Sequence, residues 1–199
     1  MNGSKKAFLF LATAFSLAAE PTLILSPSAL EGNIGATVGW GFTITNDSGY
    51  IEITSSQFCL SPVNFVTNGC TLPLTGSYND IISSAEDIVV GPPGGTLPDS
   101  VTQSFDPVAM MTGVGSFTIN PGTPFTNSDV GEIVLTYNLS DMDPNSSTYD
   151  AGVDLVATDQ VLFANTSVTT TIAPEPSTAA LLMAAAVVLR LGNRCRIRV

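Results

Sequence analysis

Chemistry in this chain has to come from carboxylates, hydroxyls and three cysteines, because histidine is absent and all six basic residues lie at the two ends. Lys5 and Lys6 stand near the start, and Arg190, Arg194, Arg196 and Arg198 near the finish. Residues 20–173 therefore contain no Lys or Arg, yet hold every one of the chain's 17 acidic residues except Glu175. A body of this kind cannot neutralise phosphates, which argues strongly against binding of nucleic acid or anionic lipid by the body. It also lacks the groups for Schiff bases, Arg clamps, His-dependent triads and His/Cys zinc sites. Carboxylates alone suffice for glycoside hydrolysis, which needs one pair across the scissile bond. Nothing in the spacing marks two of them as a pair, and no G-x-S-x-G elbow is present. The expectation is a protein without catalytic activity, with a glycoside hydrolase as a remote alternative that turnover of a polysaccharide panel would reveal.

Two smaller constellations remain. Asp141, Asp143 and Asn145 offer oxygen donors at alternate positions, and Asp150 follows; hard cations such as calcium take such ligands. The EF-hand pattern also needs Gly at its sixth position and Glu at its twelfth, where this chain has Ser146 and Gly152. A solvated acidic turn is the plainer reading, and a calcium-dependent adhesive or glycan-binding module is the alternative it leaves open. Cys59 and Cys70 bracket a segment with Pro62 and Asn68-Gly69, whose turn can bring them together as one disulfide in an exported protein. Cys195 lies in the basic tail. Trp40, the single tryptophan, alternates with Val38, Phe42 and Ile44. That spacing points it into a core and not outward as a sugar platform.

The ends read as addresses. Residues 1–19 combine the basic pair Lys5-Lys6, an apolar stretch from Ala7 to Leu17 and small residues after it, the pattern of a secretory signal peptide removed by signal peptidase. Cleavage after Ala18 puts Ser16 at the −3 position and is preferred to cleavage after Ala19, which puts Leu17 there. At the other end Pro174, Glu175, Pro176, Ser177 and Thr178 precede an unbroken apolar run, Ala179 to Leu189, and then the four arginines. A helix over 178–191 is about 21 Å long at 1.5 Å per residue, short for a hydrocarbon core of about 30 Å. The arginines should stay cytoplasmic and hold the body outside.

This order of Pro-Glu-Pro, Ser-Thr, short apolar helix and terminal arginines resembles the PEP-CTERM sorting signal. The resemblance covers residues 174–199. It implies recognition by a membrane-embedded exosortase, cleavage near the motif, and release or attachment at the surface of a Gram-negative cell that makes extracellular polysaccharide, itself a possible partner. The run here is Ala-rich and Arg190 comes early, both departures from the family pattern. Gly39 to Gly49, Ser104 to Asp106 and Gly131 to Tyr137 also resemble the bodies of uncharacterised PEP-CTERM proteins, a likeness that brings no activity with it.

Stepping from Val38 to Ile44 and from Tyr50 to Thr54, apolar residues recur at every second position on either side of the turn Asn46 to Gly49, which predicts a β-hairpin. Glu132 to Leu139 is the clearest later strand; 101–105, 116–119, 161–163 and 167–172 are shorter ones, and 80–88 is a candidate helix. Clusters of Pro and Gly at 91–95, 120–122 and 143–145 separate them. The expected fold is all-β: an antiparallel sandwich over residues 20–173, immunoglobulin-like or jelly-roll-like, between a signal peptide and a short transmembrane helix.

Overall fold

The computed structural model describes residues 20–62, 69–84, 87–124 and 127–171. They form ten strands: β1 (Thr22–Ser26), β2 (Ala29–Asn33), β3 (Thr37–Thr45), β4 (Tyr50–Leu60), β5 (Gly76–Asp80), β6 (Ile88–Val90), β7 (Ser100–Gln103), β8 (Gly115–Ile119), β9 (Ser128–Ser140) and β10 (Leu155–Thr171). Two five-stranded sheets result. One runs β1-β3-β8-β5, with β7 on β3 as well, and the other runs β2-β10-β9-β4-β6. The chain is an all-β sandwich, as its alternating runs predict.

Alternation puts the apolar set of each strand on one face, and the two faces meet. Trp40, Phe42 and Ile44 from β3 and Phe117 and Ile119 from β8 are completely buried against Ile51, Phe58, Ile133 and Leu135 from the second sheet. Aromatic rings make the central contact: Trp40 and Phe58 have centroids 5.6 Å apart, and Phe58 meets Phe117 edge-on at 5.8 Å. Edge-to-face and tilted pairs of this kind suit the ring quadrupoles.

Three expectations are corrected. β3 and β4 do not pair as a hairpin; they belong to opposite sheets. Both have an apolar face, and a period of two reports that face without saying whether the next strand lies beside it or across from it. The crossing is fixed by Asn46, which is fully buried and whose Nδ2 donates to the carbonyls of Gly49 (2.9 Å) and Gly91 (3.0 Å). The sheets are not wholly antiparallel: β2 runs parallel to β10, Ala29 opposite Ser167 through Asn33 opposite Thr171. The candidate helix at 80–88 reduces to a single 3-10 turn at Ile82–Ser84, because Asp80 closes β5 and Ile88 opens β6. Elsewhere the two short strands expected at 161–163 and 167–172 are parts of one, β10. A four-residue helix, α1 (Ala151–Asp154), follows Asp150, whose Oδ1 accepts from Gly152 N at 2.9 Å. Serving as N-cap is what Asp does well at such a position.

Candidate functional site

The strand directions give the sandwich two ends with different chemistry. At one, β3 hands over to β4, β6 to β7 and β9 to β10. The connecting turns carry Asp47, Asp99, Asp141, Asp143, Asp150 and Asp154. They are tied together by Asn46 N to Asp99 O at 2.9 Å and Asp141 N to Asp154 O at 2.9 Å. At the other end lie the segment after β4 that carries the disulfide, the β2–β3 turn and the β8–β9 connection.

The acidic end shows the residues of the alternative calcium set engaged in their own turns. Asp143 Oδ1 accepts from Asn145 N at 2.9 Å, closing its own turn, and Asp150 is occupied in capping α1. Among the described residues no three Asp, Glu or Cys side chains converge as metal ligands. Asp and Asn close such turns on their own amides routinely, so alternating acids in sequence are as well explained by a Pro-Asn turn as by a cation loop. Asp141, Asp143, Asn145 and Asp150 are therefore placed as turn residues.

At the other end Cys59 and Cys70 are joined by a disulfide, Cα atoms 5.0 Å apart, as their spacing predicts. Leu60 N donates to Thr71 O at 2.9 Å, laying the returning chain beside β4. Gly131 faces this junction; a Cβ there would lie 2.1 Å from Cys59 O, so only glycine lets β9 pass so close. Beyond the disulfide, buried Asp129 accepts from Leu74 N (3.0 Å), Thr75 N (2.9 Å) and Thr75 Oγ1 (2.8 Å) through one carboxylate oxygen. Sequence reasoning missed this residue, since an isolated Asp after Asn127-Ser128 carries no signal of burial.

Two clefts flank the segment. One, of about 270 Å³, lies between β4 and β5 and is walled by Phe58, Leu72, Pro73 and Tyr78, with Gln57 and Ser77 as its polar groups. The second, of about 310 Å³, lies between Leu74 and the β8–β9 connection, beside Asn120, Thr123, Pro124 and Asn127. Neither lining contains a carboxylate, and ligand pockets generally begin at about 300 Å³. Tyr78, the titratable group present, turns its hydroxyl inward: it donates to Ser56 Oγ at 2.8 Å, and Ser56 Oγ in turn has Asp80 Oδ1 and Val114 O as the two acceptors within reach of its single proton. Burial, opposed by the Ser56 hydrogen bond and aided by the charge of Asp80, pushes the Tyr78 phenol far above its ordinary value. These surfaces offer packing and hydrogen bonding, with no acid and base poised over a common point.

Tyr78 has a measurable consequence. Its folded-state pKa is raised above the unfolded value of about 10, so its contribution is intact below pH 10 and is lost above it, where the unfolded chain releases the proton first. Tyr137 shifts in the same direction, through burial and then the charge of Glu20. The body has no Lys and both of its cysteines are oxidised, so neither group adds to the pH dependence here. Urea melts should show stability falling as the pH rises above about 10, Tyr78 contributing up to about 1.4 kcal/mol per pH unit. The fall should be shallower in Tyr78→Phe; an equal slope in both proteins would place the Tyr78 phenol in contact with solvent.

Trp40 is completely buried, and its Nε1 donates to Thr166 Oγ1 of the opposite sheet at 2.7 Å. It is not a sugar platform. The signal peptide (1–19), the sorting motif (Pro174, Glu175, Pro176, Ser177, Thr178), the apolar run and the arginine tail lie outside the described residues. Among the described residues no helix is long and apolar enough to cross a membrane.

No protein-family model matches the chain, and no curated protein matches it. Among solved structures it is similar to the Caenorhabditis elegans protein WR4, an MSP family member, at 8% identity and a TM-score of 0.33, over 75% of this chain and 98% of that one. It is also similar to a chain of the CaDoc0917–CaCohA2 complex, at 17% identity and a TM-score of 0.23, over 76% and 99%.

Proposed function

We propose that this chain is an exported structural protein of the cell surface or extracellular polymer, without catalytic activity. In this reading signal peptidase cleaves after Ala18 or Ala19, the short helix over 178–191 holds the precursor in the inner membrane, and an exosortase acts near Pro174-Glu175-Pro176. The observation that carries the reading is the ordered arrangement of Pro-Glu-Pro, Ser-Thr, apolar run and arginines after a body that follows a signal peptide. Two properties of the body support it: a disulfide, which belongs to oxidising compartments, and a lack of cationic side chains, which suits life outside the cytoplasm among neutral polymers and metal ions more than contact with nucleic acid. The sheet order fits an immunoglobulin-like sandwich better than a jelly roll. β1, β3 and β8 stand where strands A, B and E do, and β4, β9 and β10 where C, F and G do, with β7 an addition.

Replacing Pro174, Glu175 and Pro176 together by Ala tests the sorting step in the producing cell or in a host with an exosortase. Proline fixes φ and keeps the residue before it extended, so the motif stands clear of the helix as a substrate stretch. The triple variant should accumulate as an unprocessed, membrane-bound precursor, while intact mass of the unaltered protein should show both ends removed. Normal processing and surface placement of the variant would leave the segment as an ordinary weak anchor.

A further inference from the structure

The two ends of the sandwich stand in different relations to the C-terminal segment. β10 ends at Thr171, whose Oγ1 donates to Asn33 Oδ1 at 3.1 Å, and Thr170 N donates to Asn127 O at 3.0 Å. The chain thus leaves the body at the disulfide end. Among the described residues, the exposed apolar side chains in the turns of that end include Leu74 (81% exposed), Leu72 (65%) and Ile34 (37%). The backbone brings the β2–β3 turn with Ile34 towards Leu74, Gly35 N reaching Ile119 O and Asn120 N reaching Thr75 O, and Leu72 stands two residues before Leu74. Of the carboxylates near this end, Asp129 is buried and occupied by three donors, while the exposed Glu31 and the half-buried Glu132, opposite Cys59, lie back along β2 and β9. Every turn at the opposite end is acidic.

From Thr171 to Ala179, where the apolar run begins, the chain can reach at most about 28 Å. A bilayer holding that run therefore lies within reach of the disulfide end and beyond reach of the acidic one, since the thirteen residues of β9 separate the ends by about 40 Å. We propose that the disulfide end is a lipid-facing surface on which Leu72, Leu74 and Ile34 rest at the headgroup boundary of the precursor's own membrane. This rests on reading residues 174–199 as a membrane-held segment. Lipid is the occupant that the tether supplies: it makes contact intramolecular, so a small apolar patch suffices. Apolar elements at such an interface settle about 5–10 Å into the boundary. The segregation of charge fits the same occupant. The acidic turns point away into solution, while at the disulfide end Asp129 is buried and Glu31 and Glu132 sit back along their strands, away from the lipid phosphates.

The test uses the full chain with Cys195→Ser and a single added thiol, Leu74→Cys or Val153→Cys, both exposed positions at opposite ends. Each is labelled without reductant with a small environment-sensitive fluorophore and reconstituted in phosphatidylcholine vesicles carrying a headgroup-level nitroxide lipid. Quenching should be at least about twofold stronger at 74 than at 153, which the length of β9 keeps out of nitroxide range. Retention on the vesicles after an alkaline carbonate wash is scored separately. Loss from the vesicles would overturn the membrane-held reading and the proposal together. Retention with equal quenching at both positions would overturn the proposal alone. So would protection of position 74 from aqueous iodide without lipid quenching, which would assign that end to a protein partner or a second copy.

Discussion

Trp40→Ala should destabilise the sandwich by about 3–5 kcal/mol, the range for emptying a large aromatic core site. Two losses combine. The ring is completely buried and packs on Phe58 at 5.6 Å and Tyr78 at 6.1 Å, so its removal leaves a hole between the sheets that those neighbours only partly fill. Its Nε1 is also the donor to buried Thr166 Oγ1, and a buried hydroxyl deprived of its partner costs about 1–3 kcal/mol more than one that keeps it. Trp40→Phe separates the two, since it retains most of the volume and removes the donor; it should fall between Trp40→Ala and the unaltered protein. Trp40 is the one tryptophan, so urea melts must be followed by far-ultraviolet circular dichroism in all three proteins. A loss below about 1 kcal/mol for Trp40→Ala would mean that the ring faces solvent, and the sugar-stacking role would then regain its ground.

Trp40 also shows what kind of information a sequence of this composition carries. Its inward position was legible because Val38, Trp40, Phe42 and Ile44 share one face of a strand, and face is a local property. The same holds for Ile133, Leu135, Tyr137 and Leu139 on β9, three of them buried and the fourth packed on the core. Partnership between strands is a property of the whole fold, and there local reading failed: the turn Asn46 to Gly49 looked like a hairpin and is a bridge between sheets. What distinguishes the two is that Asn46 reaches the carbonyls of Val90 and Gly91, 44 and 45 residues away. No window around the turn contains them. β1 and β2 were missed for a related reason. Each is only five residues long and is held by a long neighbour, β3 or β10, more than by its own pattern. At the candidate site the disulfide was legible because two cysteines in the body leave one pairing, whereas the acidic turn left calcium open as an alternative, since ligand spacing and turn spacing coincide at Asp143-Pro-Asn145. Asp129 was invisible, because its partners Leu74 and Thr75 lie 55 and 54 positions away.

Opening the disulfide should give the second large effect, and its form should reveal where the stabilisation resides. Closing a loop between Cys59 and Cys70, 11 positions apart, restricts the unfolded chain by about 3 kcal/mol in the chain-entropy account. Cys70→Ala is the informative variant, because Cys59 is completely buried and its truncation would add a cavity of its own. If the entropy account holds, Cys70→Ala should lose about 3 kcal/mol, keep the native circular dichroism, and unfold with a larger urea m-value, since the freed chain exposes more surface when denatured. A second fastener lies close by. Asp129 holds Leu74 and Thr75 just beyond the bridged cysteine, so in Cys70→Ala the segment is still anchored at its far side, and Asp129→Ala should remove that anchor. Because both act on one stretch of chain, the two changes should not add. The double variant should differ from the sum of the singles by about 0.5–3 kcal/mol, as neighbours sharing a structural element do. Additivity within about 0.3 kcal/mol, with an unchanged m-value in Cys70→Ala, would instead show two independent local contacts, and the disulfide end would lose its standing as a single fastened unit.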